Sequence, residues 1–297
     1  MKVRIGVSLG NETGPDGFAA AVDLLEAAGV DSLWLPEHVY GPAVEPFTGV
    51  AFALSRTRHL KAGTGISVLP GRHPALVAKQ LASLAGLAPR RVLPVFGLQP
   101  AAPAERAAFP VPAGPGQRAA AFDEALALLR LLLTADEPVT FEGRFFSVSG
   151  ACAMPRPAQP LDIWLAGSAP GALRRTGRLA DGWLGSLMTP GEAGEAVRAI
   201  QAAAHEAGRQ VDPDHFGMSM AIAFGPVPDS YAAAVARRRP GVAPESLVAD
   251  GWAGAGRLIE AYAASGVSKF VVRPAGGKPT LAEFIEGFTR ELMPLQT

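Results

Sequence analysis

A chain of 297 residues with 27 basic and 27 acidic side chains, 48% of it apolar, has the size of one large globular domain and lacks the sustained positive face that nucleic acid binding needs. Its single cysteine, Cys152, excludes an internal disulfide, and no Cys/His cluster has metal-site spacing. The N-terminus reads as a strand without a signal-peptide pattern, and the most apolar helical stretch, residues 119–133, is interrupted by Asp123, Glu124 and Arg130, so a cytoplasmic protein that spans no membrane is expected.

In chain order, apolar runs of strand type occur at residues 3–9, 32–36, 61–69, 91–97, 161–166, 182–187, 216–224 and 269–273, each bounded by Gly, Pro or a charged turn residue. Helical periodicity fills the intervals. After the first strand, Val22, Leu25 and Ala28 share one face, and Gly29 stands where a left-handed residue closes a helix. Further helices are predicted over 46–56, 74–87, 117–133, 170–181, 190–207, 244–265 and 281–292. Several begin on proline, whose missing N–H has no intrahelical partner in the first turn. Eight strand–helix alternations leave no room for a second domain. They predict an α/β chain with one (β/α)8 TIM barrel over residues 1–297, and with it chemistry in the loops after the C-terminal strand ends.

Three segments interrupt the alternation. Residues 99–116, rich in proline, form a long connection after strand four on the catalytic side; it reads either as a substrate-gating wall, with Arg106 and Phe109 its side chains best suited to touch a ligand, or as an ordinary surface crossing with Phe109 tucked into a satellite core. Residues 138–160 contain a small hairpin, strands 139–141 and 144–148 about Glu142 and Gly143, which begins on the opposite rim. Residues 225–243 follow strand seven and carry Arg237, Arg238 and Arg239, read as a solvated helix end, with a rim anion site as the alternative.

The strand ends carry the candidate chemistry. Strand two ends in Leu35-Pro36-Glu37-His38, a carboxylate and an imidazole at the mouth; the competing reading of His38 is a rim residue fixing the loop at 39–41. Strand five ends in Ala166-Gly167-Ser168-Ala169-Pro170, a small-residue turn that can close backbone N–H groups around a phosphate or simply cap a helix. Pro94 removes a ladder donor from strand four, so a bulge or break is expected there.

Taken together, Ala27-Ala28-Gly29-Val30-Asp31-Ser32-Leu33-Trp34-Leu35-Pro36-Glu37-His38, Leu69-Pro70-Gly71-Arg72-His73-Pro74, Ala78-Lys79-Gln80-Leu81, Phe141-Glu142-Gly143-Arg144-Phe145-Phe146, Ile163-Trp164-Leu165-Ala166-Gly167-Ser168 and Ala180-Asp181-Gly182-Trp183 resemble the luciferase-like superfamily. The resemblance is closest to its branch of oxidoreductases that use the deazaflavin coenzyme F420, and it runs in order over nearly the whole chain. It implies a homodimeric barrel that transfers a hydride between F420 and a small organic substrate: an imine, an activated alkene or an alcohol/ketone pair. His38 would be the catalytic residue. Cofactor contacts are implied for Glu37, His38, Ser67, Val68, Leu69, Gly97, Gln99, Ala166, Gly167 and Ser168, with a non-proline cis peptide at Ser67–Val68 behind the ring and the phosphate at Ala166, Gly167 and Ser168. Where relatives place an acidic residue just beyond strand four this chain has Gln99 and Pro100, and Glu105 is the nearest acid. An FMN-dependent monooxygenase and a degenerate barrel that binds without turnover are the alternatives.

Overall fold

The alternation of inward and outward residues along each strand builds the fold, which we describe from a computed structural model for residues 2–10, 13–111, 116–276 and 279–297. The strands are β1 (Arg4–Ser8), β2 (Ser32–Leu35), β3 (Lys61–Thr64), β4 (Ser67–Val68), β5 (Val92–Leu93), β6 (Val95–Gly97), β7 (Val139–Glu142), β8 (Ser147–Ala151), β9 (Trp164–Ala166), β10 (Gly182–Ser186), β11 (Phe216–Ala223), β12 (Val248–Asp250) and β13 (Lys269–Pro274). The main sheet is parallel throughout and runs β4-β6-β9-β10-β11-β13-β1-β2-β3-β5. Its two ends are pieces of the same strands: β3 runs on into β4 and β5 into β6, so the sheet closes on itself as the predicted barrel.

Closure passes over a seam. Pro94 splits strand four as expected, and the third strand is also divided, at Gly65 and Ile66. Across the gap the Thr64 hydroxyl donates to the Val95 carbonyl (2.8 Å) and accepts from the Val95 N–H (2.9 Å), replacing main-chain ladder bonds with one side chain.

The helices α1 (Pro15–Ala27), α2 (Pro46–Arg56), α3 (Pro74–Leu87), α4 (Arg118–Thr134), α5 (Pro170–Leu179), α6 (Pro190–Glu206), α7 (Asp229–Arg238), α8 (Gly251–Ala264) and α9 (Leu281–Glu291) form the outer layer. Gly29 has φ +69°, the left-handed closure predicted for the first helix. Outward strand residues such as Ile5, Val7, Leu33, Phe216 and Phe270 pack on the helices. Inward residues Trp34, Val95, Trp164, Leu184 and Val271 form a separate cluster in the barrel interior. The two indoles use space left by glycine: a Cβ on Gly182 would lie 2.3 Å from the Trp164 ring, and one on Gly6 would lie 2.7 Å from Trp34 Nε1.

Asp31 organises the N-terminal end. Its carboxylate accepts from Lys61 Nζ and Lys269 Nζ, each at 2.7 Å. Burial alone raises an acid, but the two ammonium groups outweigh it and hold the Asp31 carboxyl at about 2.

Three expectations need correction. The stretch 244–265 is not one helix, because Val248–Asp250 pairs with β11 beyond the reach of β10, and α8 starts only at Gly251. The segment 225–243 holds a ten-residue helix, α7, within its proline-rich frame. The hairpin exists, but its second strand starts at Ser147 rather than Arg144, since Glu124 of α4 accepts from the N–H groups of Arg144, Phe145 and Phe146 and keeps them in the turn.

Candidate active site

The polar residues converge where β2, β4 and β6 end. Glu37 follows β2 and is buried; its carboxylate accepts from Arg72 (Oε1–NH2 2.5 Å, Oε2–NH1 3.1 Å) and from the Val68 N–H (2.7 Å). Burial pushes the Glu37 carboxyl up and Arg72 opposes that rise. Arg72 also donates to the Val68 carbonyl (2.5 Å) and lies over the Phe109 ring, 5.1 Å from its centroid. One guanidinium thus ties the ends of strands two and three to the loop after strand four. Glu37 is fully engaged in this clasp.

His38 stands beside it with its side chain 17% exposed, and its Nδ1 lies 3.8 Å from Glu105 Oε1. Glu105 rides on a 3-10 turn, Pro103–Ala108, and is buried. Its Oε1 accepts from the Tyr40 N–H at 3.3 Å, so Glu105 helps to fasten the loop at 39–41, whose Gly41 also packs beside His38. Its Oε2 is buried with no hydrogen-bond partner among the described residues, as is the hydroxyl of Ser67. A carboxylate oxygen buried without a protein partner is an uncommon placement that costs of the order of a few kcal/mol.

The other residues assigned from sequence divide. Val68 and Leu69 are buried, and their backbone groups are already engaged: the Val68 N–H by Glu37, the Val68 carbonyl by Arg72, the Leu69 N–H by the Gly97 carbonyl and the Leu69 carbonyl by the Arg72 N–H. Gly97 leaves the space that the Ile66 side chain fills, since a Cβ there would lie 2.0 Å from Ile66 Cδ1. The Gln99 amide oxygen accepts from Arg106 (3.0 Å). Phe109 is buried, as the satellite-core reading of this loop expects, and packs against Gly71, where a Cβ would lie 2.7 Å from the Phe109 backbone. Pro112 and Pro115 of the same loop lie outside the described residues. The cis peptide is at Gly65–Ile66, two positions before the expected Ser67–Val68 bond.

Ala166, Gly167 and Ser168 sit at the end of β9, ahead of α5. Gly167 has φ +121° and its carbonyl accepts from Trp183 Nε1 (2.9 Å), which fixes the turn. The N-cap of α5 is Ala169, which offers no side-chain oxygen, whereas α6 is closed by a complete Thr189–Glu192 capping box. Of these two adjacent helix starts, α5 is the one left open to an incoming anion.

A cationic pair stands on the same rim, of which sequence reasoning named Arg238 and missed Arg273. Arg273 ends β13, where its NH1 donates to the Pro274 carbonyl (3.0 Å), and no carboxylate pairs with it among the described residues. Arg238 of α7 reaches Ser186 Oγ at 3.3 Å. Burial pushes the Arg273 guanidinium down, with Tyr231 opposing and the like charge of Arg238 adding to the effect. The arginine run is therefore divided: Arg239 pairs with Glu192 (2.5 Å), and Arg238 turns to the mouth. The signal in sequence was the rim location of the run alone.

A closed parallel barrel whose imidazole, buried carboxylate, open helix start and unpaired guanidinium groups gather at the C-terminal strand ends defines a TIM-barrel protein with its ligand site at that mouth. The sequence pattern of the family described as "Luciferase-like monooxygenase" matches residues 1–268, and the chain belongs to that family. Among similar proteins is the F420-dependent glucose-6-phosphate dehydrogenase of Nakamurella multipartita, 30% identical over 242 residues, covering 75% of this chain and 68% of that one. The enzyme of the same name from Beutenbergia cavernae is 33% identical over 192 residues (61% and 56%). The F420-dependent hydroxymycolic acid dehydrogenase of Mycobacterium tuberculosis is 32% identical over 238 residues (77% and 64%). The alignments thus span about half to two thirds of these relatives' lengths. An F420-dependent secondary alcohol dehydrogenase, solved with an F420-acetone adduct, superposes over all of both chains with TM-score 0.83 at 21% identity, a likeness of fold.

Proposed function

We propose that this chain is an F420-dependent oxidoreductase acting on a small alcohol or carbonyl compound that carries an anionic group. The observation that carries the reading is His38 at the mouth, backed by the buried carboxylate of Glu105. The relatives' cofactor supports F420, and the residues present suit it: the open start of α5 beside Gly167 for its phosphate, and the unpartnered Ser67 hydroxyl near the ends of strands three and four for its ring. When bound, the deazaflavin supplies two-electron hydride chemistry. A cytoplasmic homodimer is part of this reading, carried by the family resemblance.

The chain's own residues handle the proton. With Nδ1 turned to Glu105, the His38 Nε2 is the nitrogen left to take the hydroxyl proton in oxidation or return it in reduction. Glu105 stabilises the positive charge that His38 gains in that step. Arg238 and Arg273 orient the substrate by its anionic end, as guanidinium donors without competing carboxylates among the described residues.

Titration with F420 and with FMN, followed by turnover assays on sugar phosphates and secondary alcohols, tests the proposal. Tight F420 binding with turnover is expected. FMN binding with oxygen uptake that depends on reduced flavin refutes it in favour of a monooxygenase, and binding of neither makes the barrel non-catalytic.

A further inference from the structure

Ser186 ends β10 on the face that Leu184 turns to the barrel interior, and Arg273 shares the inward face of Val271 on β13, so both stand over the mouth. Arg238 NH2 reaches Ser186 Oγ at 3.3 Å, which brings a guanidinium from α7 to the same place. α7 is no part of the barrel's alternation. It is inserted between β11 and β12, so Arg238 faces the mouth only while the helix stays docked there.

The end of α7 that carries Arg238 is docked by the next residue. The Arg239 guanidinium donates through NH1 to the Leu187 carbonyl and through NH2 to Glu192 Oε1 (2.5 Å). Glu192 is itself locked, since its Oε2 accepts from the Thr189 N–H (2.8 Å) in the capping box of α6. Leu187 is held at φ +52°, a left-handed conformation uncommon for a residue with a side chain. Such strain persists where the surroundings over-determine it. Arg239 holds the Leu187 carbonyl, the Tyr262 hydroxyl donates to the Met188 carbonyl that follows, and the Leu187 side chain packs on a satellite cluster that includes Tyr231 and Val235 of α7. Tyr231 also faces Arg273, whose guanidinium carbon lies 5.9 Å from its ring centroid. The loop after strand six, α7 and both rim arginines thus form one connected assembly.

We propose that Arg239 is a positioning residue for substrate recognition: anchored on Glu192 and on the strained turn at Leu187, it seats α7 so that Arg238 joins Arg273 in holding the substrate's anionic group. Arg239 itself does not touch the substrate. Its planar fork spans a carbonyl and a carboxylate in fixed geometry, which the single ammonium group of a lysine does not reproduce. The inference rests on the proposed function in one respect, that the substrate is anionic.

Calorimetric titration of the full chain with glucose 6-phosphate, beside glucose as its uncharged counterpart, tests it through a double-mutant cycle. Arg238→Gln removes a direct contact and should weaken the phosphate ester about tenfold. Arg239→Lys keeps the charge and loses the fork, and should weaken it at least about fivefold. The double variant should bind no more weakly than Arg238→Gln alone, because Arg239 acts through Arg238. Glu192→Gln can still close the capping box and should show part of the Arg239→Lys loss. Losses that add in the double variant would mean that Arg239 meets the ligand directly or acts on the whole fold, and would overturn the proposal. Full affinity in Arg239→Lys or in Arg238→Gln would overturn it as well. A wild-type chain that does not prefer glucose 6-phosphate to glucose removes the anionic-substrate reading and this inference with it, whereas a preference kept in full by Arg239→Lys removes the inference alone.

Discussion

Replacing Asp31 by Asn removes one charge from a site where two ammonium groups depend on it. The substitution keeps the size of the side chain, yet Lys269, only 8% exposed, loses its counter-ion. Holding the carboxyl at about 2 against an ordinary 3.8 is worth roughly 2.5 kcal/mol by linkage. Breaking a buried pair by removing one partner costs about 3–5 kcal/mol. Burial pushes Lys269 itself down in spite of Asp31, so the triad as a whole stabilises by less than the upper figure. A loss of about 3 kcal/mol is expected at neutral pH, or roughly 6 °C in unfolding temperature for a domain this large. The sign of the pH dependence follows from the lowered pKa. The stabilisation is fully present above the unfolded value of 3.8 and disappears as pH falls through about 2. Urea unfolding followed by circular dichroism, for both proteins between neutral pH and pH 2, measures the gap. A gap under about 1 kcal/mol at neutral pH, or one that stays constant between roughly pH 4 and 2, would refute the reasoning.

Three further outcomes are expected at the mouth. Glu105→Gln keeps an acceptor for the Tyr40 N–H and removes only the charge facing His38, so kcat should fall about a hundredfold with little change in F420 affinity; a change of kcat below threefold, on the order of the assay's scatter, would leave Glu105 a loop fastener. Gly167→Ala adds a methyl at φ +121°, 2.9 Å from the Ala172 Cβ, and should weaken F420 at least about tenfold in a protein that still unfolds cooperatively. Arg273→Ala should raise KM for an anionic substrate about tenfold or more while sparing its uncharged analogue, which steady-state kinetics on the pair will decide.

Much of the barrel was legible in the sequence because strand ends and helix starts are local events. Gly29, the proline-led helices and the break at Pro94 each follow from one residue's backbone limits. The position of Glu37 and His38 followed from the barrel rule applied to strand two. Their partners did not. Arg72 meets Glu37 across 35 positions and Glu105 reaches the Tyr40 N–H across 65, distances over which no periodicity carries information. Phe109, whose place in a ligand wall or a satellite core composition left open, is buried where Gly71 lets the loop backbone come close. The strand at Val248–Asp250 hides in a helix-like stretch because pairing with β11 overrides local preference.

The acid that backs His38 is carried by a 3-10 turn and not by a strand end, and that placement makes competence and folding separate equilibria. The Tyr40 N–H and the Arg72–Phe109 contact seat the turn, while the barrel's ladders hold without it. Partial unseating of Pro103–Ala108 would remove the charge from the imidazole and leave the barrel intact. If the proposed function holds, mild heat or denaturant should silence turnover well before the circular dichroism signal changes, and an inactive preparation need not be an unfolded one.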